Sequence, residues 1–147
     1  MPNQGRHEPE VQLETGDLNI GNIDVLSVAY RTDTVLFARI DDDTITGGTY
    51  SAEIVTAPGA SNFIYVVELL LMVDAQCELE WVDDPQGTPA INAEAPPMYF
   101  AARGGIYLPD SPGYRFKTDT ANKAIGLDEV ANGAVKVRGY MKYYTST

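Results

Sequence analysis

Histidine, cysteine and tryptophan each occur once in the 147 residues, as His7, Cys77 and Trp81. His7 sits in a polar N-terminal stretch, so a Ser-His-Asp or Cys-His arrangement has no folded histidine to build on. A lone cysteine excludes an internal disulfide framework, and clustered His and Cys ligands for zinc are absent. No glycine-rich loop leads into Lys-Ser or Lys-Thr, and no dinucleotide fingerprint opens a helix. Bases are scarce as well: ten against 21 acids, a formal net charge of −11. That field repels nucleic acid and anionic membranes. The longest apolar stretch, Phe63 to Val73, contains Glu68 and falls short of the ~20 residues a membrane helix needs. No apolar run precedes residue 23, so no secretory leader is expected. These absences predict a protein that is not an enzyme, with no cofactor, no metal, no nucleic acid and no membrane partner.

What is present is alternation. From residue 23 onward the apolar period is two nearly everywhere, and no segment has a convincing helical period. Strands are expected in the Ile23–Tyr30 region, over Thr34–Ile40 and over Tyr50–Thr56. Asp41-Asp42-Asp43 and Thr46-Gly47-Gly48 read as turns. In Phe63–Val73 the odd-numbered residues form one wholly apolar face, and Ile64, Val66, Glu68, Leu70 and Met72 form the other. A helix over Val66–Val73 competes, but β-branched and aromatic content favours a strand central in a sandwich or at a subunit contact. Cys77, Leu79 and Trp81 alternate with Gln76, Glu78 and Glu80, which buries one face and marks Cys77 as a core thiol. Asp83-Asp84-Pro85-Gln86-Gly87 reads as a turn, Ala90–Pro97 as a loop and Ala131-Asn132-Gly133 as a hairpin turn. Val135, Val137, Gly139, Met141 and Tyr143 alternate with Lys136, Arg138, Tyr140, Lys142 and Tyr144. About eight or more short strands with such turns predict an all-β chain, an antiparallel β-sandwich or jelly roll.

Residues 1–22 differ from the sandwich domain expected over 23–147. Their large aliphatics are few, and the segment is either a disordered arm or a strap that orders on a partner. The pairs Val11/Leu13 and Leu18/Ile20 have the spacing an added edge strand requires. Asp41-Asp42-Asp43 and Asp83-Asp84 are adjacent acids that point opposite ways in extended chain, unlike a spaced calcium loop, and both read as solvated turns. Lys136, Arg138 and Lys142 share one face of the last strand with Tyr140 and Tyr144. The cations either offset acids on a neighbouring strand or contact a partner. Nine tyrosines exceed what a small core needs. Tyrosine suits protein interfaces and also stacks on sugars, so a carbohydrate-binding module is the rival reading.

The segment Ala101-Ala102-Arg103-Gly104-Gly105-Ile106-Tyr107-Leu108-Pro109 reads as a turn and a short strand, with Ile106 and Leu108 on one face and Pro109 as the break. Gly104-Gly105 is expected to supply positive φ. Together with Gly113-Tyr114-Arg115-Phe116 and the final valine-rich strand, it resembles small β-sandwich virion proteins of tailed bacteriophages. The resemblance covers roughly the last half of the chain. It implies a capsid decoration (cement) protein, commonly trimeric, that binds the major capsid protein on the outer head and bridges neighbouring subunits. It further implies a virion location, with assembly in the bacterial cytoplasm. A head fibre, spike base or tail component is the alternative within the same class. Val11, Leu13, Leu18, Ile20, Lys136, Arg138, Tyr140, Lys142 and Tyr144 are the candidate partner-binding residues.

Overall fold

Alternating sequence becomes ten strands in the computed structural model, which describes residues 33–46, 52–130 and 133–147. In chain order they are β1 (Leu36–Thr46), β2 (Ala52–Val55), β3 (Phe63–Val73), β4 (Cys77–Asp83), β5 (Ala90–Ile91), β6 (Met98–Phe100), β7 (Gly105–Leu108), β8 (Phe116–Lys117), β9 (Ile125–Glu129) and β10 (Ala134–Ser146). The described residues contain no helix. The arm over 1–22, with Val11, Leu13, Leu18 and Ile20, and the strand region expected from Ile23 to Tyr30 lie outside the described residues.

The strands form two antiparallel sheets packed face to face. The first runs β1-β10-β3-β7 with β8 also on β3, and the second runs β2-β9-β4-β5 with β6 also on β4. The pairings β1/β10, β2/β9, β3/β7 and β4/β6 describe one long antiparallel ribbon folded on itself. That is the winding of a jelly roll. Ile64, Leu69, Leu71, Val137 and Met141 of the first sheet meet Leu79, Trp81, Ile125 and Leu127 of the second. Each such side chain contributes about 1.5–3 kcal/mol on burial. Trp81 of β4 packs on Phe116 of β8 with ring centroids 5.0 Å apart, tying the two sheets together.

Several sequence expectations change here. Asp41-Asp42-Asp43 is not a turn: β1 runs straight through it, and the register slips between Ile40 and Asp43 as a bulge. A second bulge lies in β3. Glu68 pairs with Lys142 and Val66 with Tyr143, which leaves Val67 as the extra residue. The bulge shifts the side-chain phase, so Ile64 and Val66 join Leu69, Leu71 and Val73 in the core. Phe63, Tyr65, Glu68, Leu70 and Met72 then face outward, which replaces the unbroken odd-numbered face. Ala131 and Asn132 of the expected hairpin turn lie outside the described residues, and the strands on either side, β9 and β10, belong to different sheets and do not pair. The expected Ala90–Pro97 loop contains the short β5. Arg103, at φ 61°, takes the left-handed conformation assigned to Gly104-Gly105.

Asp83 also departs from its expected solvated turn. It ends β4 buried, and Asp84 takes the turn at φ 57°. The Asn92 side-chain amide donates to Asp83 Oδ1 at 2.8 Å and to the Lys117 carbonyl of β8 at 2.7 Å. Its own oxygen accepts from the Glu94 and Ala95 N–H groups at 3.0 and 3.1 Å. One asparagine thus joins both sheets with its polar side-chain groups satisfied.

Candidate interaction face

The register of β10 on β3 places Lys142 opposite Glu68, Tyr140 opposite Leu70, Arg138 opposite Met72 and Tyr144 opposite Tyr65. Tyr107 of β7 lies opposite Leu70 from the other side. These positions all project from the outer surface of the first sheet, because their neighbours Leu69, Leu71, Val137 and Met141 point inward. Glu68 therefore stands between two strands that can each supply donors.

Glu68 is only 4% exposed. Its Oε1 accepts from the Tyr140 hydroxyl at 2.6 Å and the Tyr107 hydroxyl at 3.3 Å, and its Oε2 from Lys142 Nζ at 2.6 Å. Hydrogen bonds from Lys142 and Tyr140 hold the Glu68 carboxyl below the usual carboxylate range, outweighing the opposing effect of burial. Each donor's own bond to Glu68 acts in return, pushing the Tyr140 hydroxyl up to about 12 and raising Lys142. Near neutral pH Glu68 is a carboxylate, Lys142 an ammonium and Tyr140 a neutral phenol, in fixed geometry, and the Tyr107 hydroxyl is a further donor.

Aromatic side chains extend the face. Phe37 of β1, 61% exposed, stacks on Tyr140 with centroids 5.4 Å apart. Tyr65 and Tyr144 stack nearly parallel at 4.8 Å, and Tyr114 meets Tyr65 edge-on at 5.2 Å. Lys117 Nζ lies 4.2 Å from the Phe63 ring centroid. At the opposite end, a shallow hollow is lined by Met72, Arg103, Lys136 and Arg138 together with Asp74. Asp74 Oδ1 there accepts the Lys136 backbone N–H at 2.8 Å.

The candidate residues on β10 thus share one face but fall into different settings. Lys142 offsets Glu68 on the adjacent strand, and Tyr140 joins the same cluster. Tyr144 is nearly buried beneath its aromatic neighbours, while Lys136 and Arg138 remain exposed. Phe37, Tyr107 and Glu68 escaped the sequence reading. The signal for Glu68 was a single acid within an apolar run, but its phase depends on the Val67 bulge.

The outer surface of the second sheet differs in sign. Glu53, Glu78, Glu80 and Asp128 alternate with core residues there, and no strand of that sheet carries a basic residue. Glu80 lies directly opposite Asp128, an unfavourable like-charge pair. Tyr99 lies opposite Glu78 and is 74% exposed. A hydrogen bond to Glu78 raises the Tyr99 hydroxyl.

Other reactive groups are subdued. Burial, followed by the charges of Glu129 and Asp74, pushes the Cys77 thiol up to about 11. A thiol so placed is a poor nucleophile. Among the described residues, no three His, Cys, Asp or Glu side chains converge to hold a metal ion. No protein-family model matches the chain, and no curated protein does.

Proposed function

We propose that the chain is a non-enzymatic structural protein of a tailed-bacteriophage virion, a decoration protein that binds the outer capsid surface and bridges its subunits as a homo-oligomer, a trimer being favoured. The observation that carries the assembly part is the Glu68 cluster. Rigid, half-buried tyrosines beside charged groups lower the entropy lost on association, which suits a permanent contact. The phage part rests on the resemblance in residues 101–116 and in the last strand. Those segments form β7, β8 and β10, which all pair with β3 and so frame the same face. The major capsid protein is the partner on this reading, and the Val11/Leu13 and Leu18/Ile20 pairs serve as a strap onto it or onto a neighbouring copy. On this reading the face binds and does not catalyse.

A glycan-binding function would call for exposed, coplanar aromatic rings. On this face Tyr65 and Tyr144 cover each other, and the hydroxyls of Tyr107 and Tyr140 are engaged by Glu68. The test is co-sedimentation of the purified protein with tailed-phage heads assembled without their decoration protein. Saturable binding at a regular stoichiometry per head is expected. Absence of binding, with retention on a glycan array, would replace this reading by the carbohydrate one.

A further inference from the structure

Tyr99 of β6 is 74% exposed, more than any other large apolar or aromatic side chain among the described residues. It lies opposite Glu78 on the outer surface of the second sheet, and its hydroxyl is hydrogen-bonded to the Glu78 carboxylate. That bond occupies the phenol and steadies the ring, so what Tyr99 offers to solvent is the ring face. A shallow groove of about 710 Å³ lies beside it, lined also by Gln76, Glu78 and Ala101, a volume within the range of small-molecule sites.

The main chain adds a second feature. Val130 N–H donates to the Glu78 carbonyl, so Glu78 turns its main chain toward the β9 side. Successive residues of an antiparallel strand alternate in this respect, so Cys77 and Leu79 turn theirs toward Phe100 and Met98 of β6. Tyr99, between those two, directs its N–H and C=O to the far edge of β6, where no described strand pairs. One corner of the second sheet therefore holds a ring face, a main-chain donor and acceptor, the Gln76 amide and the Glu78 carboxylate.

We infer that this corner is a binding site for a neutral pyranose glycan, separate from the assembly face of the first sheet. The apolar C–H face of a pyranose packs on the Tyr99 ring, whose face is the negative part of its quadrupole. The sugar hydroxyls, each both donor and acceptor, match the mixed set of groups around the ring. Other ligands match it less well. Glu78, Glu80 and Asp128 share this surface and no strand of the sheet carries a base, so anionic glycans and phosphates are repelled. An ammonium or guanidinium only donates, which leaves the Tyr99 N–H and the Gln76 amide hydrogens without acceptors. An extended peptide laid on β6 would find main-chain partners on Tyr99 alone, too short a ladder for strand addition.

The experiment is affinity electrophoresis of the full chain in native gels cast with a glucan, a mannan or a galactan, with alginate as the anionic contrast. Retardation by at least one neutral polymer, and not by alginate, is expected. Tyr99→Ala should weaken it about tenfold, as truncation of an aromatic anchor does, whereas Tyr99→Phe should keep it because the ring face persists. Gln76→Ala, at an exposed position outside the strands, leaves β6 untouched and should weaken retardation as well. Ile91→Ala, which shortens another exposed side chain of the same sheet, should bind as wild type does. No retardation by any neutral polymer, equal retardation by alginate, or wild-type binding by both Tyr99→Ala and Gln76→Ala overturns the inference. Head binding is scored separately. Heads bound without glycan retention keep the decoration reading and remove this site, whereas glycan retention without head binding does the reverse.

Discussion

Glu68 shows how one side chain fixes several others. Replacing it with glutamine keeps the shape but removes the charge that Lys142 and Tyr140 engage. The expected loss for Glu68→Gln is about 1–3 kcal/mol, the scale of a charge-assisted hydrogen bond withdrawn from a shielded site. Its pH dependence has a definite sign. The folded-state pKa of Glu68 lies below its ordinary 4.5, so its contribution is complete above that value and is lost as pH falls through the folded one. Tyr140 acts at the other end: its contribution is present below pH 10 and is lost as pH rises toward about 12. Urea unfolding of wild type and Glu68→Gln should therefore show a stability gap that is widest between these limits and narrows on the acid side. A gap constant down to pH 3 would contradict the charged cluster. The comparison with the variant matters because buried Asp83, with its pKa raised mainly by burial, changes stability in the opposite sense over the acid range. At Asn92, alanine would strip Asp83 and the Lys117 carbonyl of their shared donor. A loss of about 2–4 kcal/mol is expected, because a buried carboxylate keeps fewer partners. Cys77 should stay unreactive toward thiol reagents in the native protein at pH 8 and react fully in denaturant, as its burial and a pKa of about 11 require.

At the scale of elements, two bulges decide what the face contains. The bulge at Val67 turns Glu68 outward toward Lys142, and the one between Ile40 and Asp43 lets β1 continue past three acids. Gly139 lies between them, opposite Leu71 in β3 and Ile40 in β1, at φ +151°. A Cβ there would overlap the Leu70 carbonyl oxygen. Gly139→Ala should cost about 3 kcal/mol, seen as a fall in melting temperature, whereas Gly113→Ala, where a Cβ meets open space, should not. β3, β4 and β10 were legible because simple alternation announces them, and so was the burial of Leu79, Trp81 and Cys77; the full length of the 11-residue β1, longer than the seven-residue β4, was not, because its three acids read as a turn. The phase of β3 was not, since two apolar faces leave the register without a marker until the partner strands impose one. The hairpin expected at Ala131-Asn132-Gly133 failed for a related reason: turn residues specify a reversal, but not whether the chain returns to the same sheet or crosses to the other. Of the candidate site, the β10 positions could be read from spacing alone. Phe37, Tyr107 and Glu68 come from three other strands, and only the pairing of β1, β3, β7 and β10 brings them together.

The whole molecule combines a continuous core with a chain end set apart by its composition. Among the described residues the large buried side chains run from Ile40 to Met141 and form one sandwich core. Trp81 bridges the sheets through Phe116 and is the only tryptophan, so its fluorescence reports loss of sheet-on-sheet packing directly. Met1 to Asn22 holds few large aliphatics, and their paired spacing suits strand addition to a partner rather than a core of their own. Deleting Met1–Asn22 should accordingly leave the Trp81 melting transition within about 2 °C of the full chain, since a shift of that size corresponds to well under 1 kcal/mol for a domain of this length. The deletion should weaken either the oligomer, measured by sedimentation, or binding to undecorated heads, measured by co-sedimentation. A large fall in melting temperature would make the arm part of the fold. Unchanged values in all three measurements would make it an idle terminus, and would leave assembly to the surfaces of the sandwich alone.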